Sequence, residues 1–488
     1  MNDRISPLLT DLYQLTMAQG YWKSGRAGQT AVFHLFFRTL PFRGGYAVAA
    51  GLADAVRYLR DFCFAPEELD YLAALTAPDG SRLFEPDFLA YLRTVGPACE
   101  VDAIPEGTVV FPHEPLLRVQ GPILLGQLFE TALLNILNFQ TLIATKAARI
   151  CGAARGEPVL EFGLRRAQGR DGALSASRAA FIGGCSATSN VLAGQRYGIP
   201  VRGTHAHSWV MSFDTEAEAF AAYAQAMPNN CVFLVDTYDT LDGVREAIAV
   251  GRQLRAQGRE LLGVRLDSGD LAWLSQEARR LLDEAGFPQA AIVASNDLDE
   301  HVIESLKHQH AAIGVWGVGT RLVTAYDQPA LGGVYKLTAV QRPDGGWQPR
   351  IKLSEQAVKI SNPGRLRVRR YVGPQGFLGD AIYDEDYGVA EPATLVDPVD
   401  PTRHKRLPAD ATSEELLVPV LRDGRVVCDQ PDLPAIQQRA RAQLAGLHEG
   451  IRRLENPHRY PAGLEASLYR RKLALIEAAR AAREVPCA

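Results

Sequence analysis

From about residue 155 to residue 320, short apolar runs alternate with amphipathic stretches, and this alternation constrains the fold more than any other feature. The runs are Pro158–Phe162, Ile199–Thr204, Cys231–Thr237, Leu261–Asp267, Ala290–Asp297 and Ala311–Thr320. Each is too short for an ordinary helix and ends in turn residues, so each reads as a strand buried on both faces. Between them, stretches such as "LDGVREAIAVGRQLRAQG" and "DLAWLSQEARRLLDEAG" carry apolar residues at helical spacing. Strand–helix alternation predicts a parallel sheet. Six such units fit either a β/α barrel or a doubly wound sheet. No sequence repeat underlies the structural one.

The chain has 488 residues, too many for one ordinary core. Residues 1–135 mix helix and strand and form an N-terminal α/β domain, residues 136–330 carry the strand–helix units, and β character returns over about 331–404. Residues 405–488 read as a mainly helical, polar region. A net charge of −4 gives no nucleic-acid footprint. The seven cysteines (63, 99, 151, 185, 231, 428 and 487) are scattered without a C-x-x-C, which points to a reducing cytoplasm rather than a disulfide framework. The N-terminal stretch lacks the pattern of a signal peptide, and no apolar run approaches the roughly 20 residues of a membrane span.

In barrels and open parallel sheets, ligands bind beyond the carboxyl ends of the strands. All six runs end in polar, charged or glycine residues. They supply Arg165; Thr204, His205 and His207; Asp236 and Asp239; Arg265, Asp267, Ser268 and Gly269; Asn296; and Gly317, Gly319 and Thr320. "LDSGDL" and "GVGT" would expose backbone N–H groups to an anion. Arg165 and Arg265 can clamp phosphate or carboxylate. Mg²⁺ needs only one or two carboxylates beside phosphate oxygens, and Asp236, Asp239 and Asp267 are available. The set favours a phosphorylated ligand, although any one glycine or aspartate here could equally serve a turn or a helix cap. There is no P-loop and no G-x-G-x-x-G opening a βα unit.

His205 and His207 lie one residue apart, on one face of an extended chain. From the residues alone, metal ligation, catalysis and ordinary strand-end polarity all stay open. The absence of a third ligand nearby in sequence weighs against zinc. The "HQH" at 308–310 reads as a helix-end surface feature.

The blocks "TDLYQLTMA", "FRTLPFRGGYAVAAGL", "EFGLRRAQGRDGALSASRAAFIGG", "GTHAHSWVMSF", "LVDTYDTLDG", "GVRLDSGDL", "SNDLDE" and "GVGTRLVT…LGGVYKL" together resemble nicotinate phosphoribosyltransferase. They occur in family order over about residues 8–340, with a weaker match at "NPHRYPAGL". The resemblance implies a type II phosphoribosyltransferase fold: an irregular β/α barrel with an N-terminal α/β domain completed by later chain. It also implies a homodimer with shared sites, and Mg²⁺ without a tightly bound organic cofactor. The implied reaction joins nicotinate to phosphoribosyl pyrophosphate and is driven by ATP through a phosphohistidine. By position, His207 would carry the phosphoryl group, with Asp267 as a second catalytic residue. Tyr13 and Thr204 would contact nicotinate, and Arg265 and Thr320 would contact nicotinate or the phosphoribosyl group. Phe162 and Arg165 would form the ring-stacking and anion side, with His205 orienting ring or phosphate. Relatives that use nicotinamide carry an acid where this chain has His205, and quinolinate relatives lack the histidine block. A non-catalytic sensor would have no need of His207, Arg265 and Asp267 together.

Overall fold

The computed structural model describes residues 4–356 and 359–484. The chain divides into two compact units, one running from Ile143 to Pro329 and the other built from the chain before and after it.

The inner unit holds a six-stranded parallel sheet. Its spatial order is Ala187–Thr188, Val159–Glu161, Val315–Val318, Ala291–Ala294, Gly263–Leu266, Val232–Leu234. Every pair in it is parallel. The strands are two to four residues long and mostly buried, which is why they read as unbroken apolar runs rather than as alternation. Sequence neighbours pair, and the last strand returns to pair with the first, so the order is cyclic with one interruption. A single bridge, Thr188 to Val201, extends one end of the sheet. Among the described residues no ladder joins that end to Val232–Leu234. Helices follow the strands, and side chains cap their starts: Asn190, Thr215, Asp239, Asp270 and Asp299 each accept from backbone N–H groups of the first turn. These caps fix where each strand-end loop stops.

In the other unit, a seven-stranded antiparallel sheet runs Trp347–Pro349, Gly333–Gln341, Thr30–Phe37, Leu117–Pro122, Glu100–Ala103, Val418–Arg422, Arg425–Val426. Late chain thus completes an early sheet at both edges. A second, six-stranded sheet lies wholly in late chain, in the order His404–Arg406, Thr394–Val396, Ala462–Glu465, Gly376–Asp384, Leu366–Gly373, Thr412–Glu415. Residues 405–488, expected to be mainly helical, therefore contribute strands to both sheets beside the helices Leu433–Ala445, Glu449–Arg452 and Ala466–Glu484. The physical reason is edge placement. His404–Arg406 is exposed throughout and Thr412–Glu415 nearly so, so neither shows a buried face in its sequence.

One buried ion pair ties this unit together. Arg370 and Asp380 are both fully buried, with Nη2 of the arginine 2.5 Å from the carboxylate. Tyr460 donates to the same carboxylate at 2.7 Å. The arginine's Nη1 donates to Gln443 Oε1 at 2.6 Å, and Nη2 also donates to the carbonyl of Val109 at 2.9 Å. The "NPHRYPAGL" stretch thus enters the core through Tyr460, whose ring stacks on Phe111 at 3.9 Å. Removing the cation would leave a buried charge without its partner. Arg370→Met is expected to cost about 3–5 kcal/mol in a denaturant titration. A loss below about 1 kcal/mol, the scale of an exposed pair, would contradict this reading.

Candidate active site

The carboxyl ends of the parallel strands converge around Asp236. This carboxylate directly follows the buried Phe233–Val235 run, with its side chain only 1% exposed. Its Oδ2 accepts from the Asp267 backbone N–H at 2.8 Å and from Ser268 Oγ at 2.6 Å. Its Oδ1 is buried without a hydrogen-bond partner, and lies 4.0 Å from His207 Nε2. Asp267 Oδ2 lies 3.8 Å from the same nitrogen, while its Oδ1 accepts from Ser295 Oγ at 2.5 Å. On the other side of the ring, His207 Nδ1 is 3.2 Å from Thr237 Oγ1. The imidazole is thus steered at one nitrogen and left facing two carboxylates at the other. Its side chain is 39% exposed, so a solute can reach it.

Arg265 supplies the cationic side. Its Nη2 donates to the carbonyl of His205 at 2.8 Å and its Nη1 reaches Thr204 Oγ1 at 3.4 Å. Its Nε is buried without a partner. Burial lowers the guanidinium's pKa, Asp267 and Asp236 oppose that shift, and Arg165 adds to it. Arg165 itself is exposed on the short turn Leu164–Arg166. Gly317 lies under the Phe162 ring, where a β-carbon would come within 2.8 Å of two ring carbons. A β-carbon on Gly319 would meet the Phe162 carbonyl at 3.1 Å. At Gly317 a side chain would force the Phe162 ring to shift, and at Gly319 it would press on the backbone of the same residue, so both glycines serve the close approach of the strand end that carries Phe162.

Other expected residues are engaged elsewhere. Asp239 caps the helix Thr240–Ala256, accepting from Asp242 N–H at 2.9 Å. It is Asp267, rather than Asp239, that joins Asp236 at His207. Ser268 is spent on Asp236, and Gly269 turns the chain at φ +80° ahead of the capping Asp270. Asn296 holds φ +122°, a conformation L-residues rarely adopt, and its Oδ1 accepts from the next N–H at 2.8 Å. Thr320 opens the helix Thr320–Val323. His205 is buried, its ring packed against Tyr223 at 4.8 Å. Tyr13 belongs to the other unit, on the helix Leu12–Lys23; at 48% exposure it is not a core residue there. Among the described residues, no group of three or more His, Cys, Asp or Glu side chains is arranged to hold a metal ion alone.

Three participants receive no role from a reading of strand ends. Thr237 orients His207; its place directly after Asp236 was the available signal. Glu161, fully within a buried run, accepts from Ser177 Oγ at 2.7 Å, Thr188 Oγ1 at 2.6 Å and the N–H of Gly163. It fixes the turn that presents Phe162 and Arg165, and a carboxylate inside "PVLEF" must find such partners. Glu216 is about nine-tenths buried with one unpartnered oxygen. Its carboxyl is pushed up to about 7, first by burial and then by Glu246, Asp236, Asp239 and Asp242.

Fold and site together define an α/β protein with a histidine, two carboxylates and a buried arginine at the ends of parallel strands. Residues 8–138 match the nicotinate phosphoribosyltransferase N-terminal domain, residues 158–344 the nicotinate phosphoribosyltransferase family, and residues 367–472 its C-terminal domain. The chain is similar to nicotinate phosphoribosyltransferase of Bacillus subtilis, 44% identical across 96% of this chain and 94% of that one. The Homo sapiens protein of the same name is 38% identical, covering 95% of each chain. The crystal structure of human nicotinic acid phosphoribosyltransferase superposes with a TM-score of 0.83 at 35% identity, over 96% of this chain and 99% of that one. A nicotinate-nucleotide pyrophosphorylase from Pyrococcus furiosus shares the fold, with a TM-score of 0.69 at 22% identity over 90% and 94% of the chains. The chain belongs to the nicotinate phosphoribosyltransferase family. No helix among the described residues is long and apolar enough to cross a membrane.

The Glu216 carboxyl gives the unit a pH signature. A raised native pKa means that the folded state holds a proton the unfolded chain has lost, from about pH 4.5 to about 7. Stability from this group is therefore greatest at low pH and falls as pH rises through that window. Between about pH 5 and pH 8, the wild type should lose more stability than Glu216→Gln. Identical pH dependence of the two melting curves would contradict the assignment.

Proposed function

We propose that the chain joins nicotinate to 5-phosphoribosyl 1-pyrophosphate, giving nicotinate mononucleotide and pyrophosphate, and that ATP drives the reaction through phosphorylation of His207. The observation that carries this reading is the His207 ring, held at Nδ1 by Thr237 and open at Nε2 toward Asp236 and Asp267. With the proton on Nδ1, donated to Thr237 Oγ1, the Nε2 lone pair is free. It attacks the γ-phosphorus of ATP; the bond to the bridging oxygen breaks and ADP leaves. Hydrolysis of the phosphoramidate later returns the imidazole and inorganic phosphate. A covalent nucleophile of this kind divides one difficult step into two.

Two carboxylates facing an incoming phosphoryl group would repel it unless a cation lies between them. Asp236, through its unpartnered Oδ1, and Asp267 would hold Mg²⁺ together with phosphate oxygens. Bound there, Mg²⁺ supplies charge neutralisation at the phosphates. Asp239 has no part in this version of the metal site, because it caps a helix. Arg265, with Arg165, favours an anionic substrate, and the ring of Phe162 offers a face for the pyridine. A pocket arranged for a carboxylate leaves donors unpaired when an amide arrives, so nicotinate is preferred to nicotinamide. We also read the cyclic strand order as an irregular β/α barrel. The half-exposed Tyr13 supports a homodimer in which it completes a partner's site. Six described cysteines are in no disulfide, which supports a cytoplasmic location.

The test is labelling with γ-³²P-ATP. Wild type should take up acid-labile, base-stable label, and His207→Ala should take up none while retaining weak ATP-independent transfer. Label persisting on the variant would overturn the assignment.

A further inference from the structure

The one interruption in the parallel sheet lies beside His207. Val201 is bridged to Thr188, but residues 202–207 share no ladder with Val232–Leu234. Along that edge the strand has a backbone donor to satisfy. The Val235 N–H bonds to Arg265 O at 3.2 Å on the sheet side, so alternation turns the Leu234 N–H to the open side. Leu234 is fully buried, and water cannot serve that donor. The His205 ring meets it: Leu234 N–H donates to His205 Nε2 at 3.4 Å.

Two further side chains replace ladder bonds along the same seam. Asn230 Nδ2 donates to the carbonyl of Gly203 at 3.0 Å and is itself 3.1 Å from Tyr223 OH. Arg265 Nη2 donates to the carbonyl of His205 at 2.8 Å. The His205 ring is fixed by an aromatic box, with Tyr223 at 4.8 Å, Phe220 at 6.1 Å and Phe233 at 6.3 Å. Burial, ahead of the charge of Arg265, lowers its pKa to about 4, so the ring is neutral; accepting from Leu234 N–H requires the tautomer with its proton on Nδ1, which leaves the lone pair on Nε2.

We propose that His205 is a positioning residue: its Nε2 latches the segment 203–207 to the Leu234 backbone, in place of the missing strand pairing, and so sets His207 against Thr237, Asp236 and Asp267. This rests on the proposed phosphorylation of His207. The side chain acts inside the fold and the substrate never touches it. A glutamine can present an amide oxygen where Nε2 stands, whereas a methionine fills the box without an acceptor.

The experiment uses the full chain and its His205→Gln, His205→Met and Asn230→Ala variants. Three things are measured: the rate and ATP dependence of γ-³²P labelling, hydrogen exchange at the Leu234 amide, and thermal melting. His205→Met should label at least about tenfold more slowly at saturating ATP, with the half-saturating ATP concentration changed less than about threefold. Its Leu234 amide should exchange faster. His205→Gln should restore labelling to within about threefold of wild type and re-protect the amide. Asn230→Ala, at a half-buried position, should slow labelling in the same direction by less. Unchanged labelling and exchange in His205→Met would overturn the latch, as would a glutamine variant as impaired as the methionine one. If His205→Met does not fold, an Asn230→Ala variant identical to wild type in both readouts overturns it. If wild type takes no label, the functional reading fails, and the latch stands or falls on Leu234 exchange alone: faster in His205→Met supports it, and equal in all variants overturns it.

Discussion

The site depends on how a single buried carboxylate divides its two oxygens. Asp236 commits one of them to the backbone and side chain of the next strand's turn, through Asp267 N–H and Ser268 Oγ. That pair of bonds draws the ends of two strands together and holds the turn that carries Asp267. The other oxygen receives nothing from the protein and faces His207. A buried, unpartnered carboxylate oxygen is costly in a resting fold. It becomes useful when a cation or a positively charged imidazole arrives to meet it. The same division explains why Ser268 and the Asp267 N–H, which look like ligand contacts in the sequence, are consumed internally.

Around this centre, each neighbouring element is secured by a bond that leaves its reactive face free. Thr237 takes one nitrogen of His207 and leaves the other. Ser295 takes one oxygen of Asp267 and leaves the other. Glu161 gathers Ser177, Thr188 and the Gly163 N–H beneath the turn, so that Phe162 and Arg165 emerge above it. Arg265 spends its terminal nitrogens on Thr204 and His205 but leaves Nε unpaired. Such half-satisfied groups concentrate where a fold gives up some stability to hold a reacting geometry.

The inner unit was legible in the sequence because its strands are buried on both faces and its helices on one. Apolar runs ending near His207, Asp236 and Asp267 pointed to side chains that the structure brings together. Side-chain roles were less legible. Asp239 and Asp236 are chemically alike and three residues apart, yet one caps a helix and the other faces the histidine; only the path of the loop separates them. Gly317 reads as a phosphate contact, but a β-carbon there would already force the Phe162 ring beside it to shift. His205 and His207 look equivalent in an extended chain, and burial in an aromatic box distinguishes them. The late strands were hidden for a different reason. His404–Arg406 and Thr412–Glu415 are polar edge strands, and Val418–Arg422 finds its partner in Glu100–Ala103, more than 300 residues earlier. Local pattern carries no trace of such a pairing.

The central claim is that this site transfers a phosphoribosyl group to nicotinate under ATP control. The direct measurement incubates the chain with phosphoribosyl pyrophosphate, Mg²⁺ and either nicotinate or nicotinamide, with and without ATP, and quantifies mononucleotide and pyrophosphate. The account predicts nicotinate mononucleotide and pyrophosphate in equal amounts, a yield raised by ATP, and a preference over nicotinamide on the order of 10⁴-fold. Comparable use of nicotinamide, or no nicotinate mononucleotide with all components present, would contradict it.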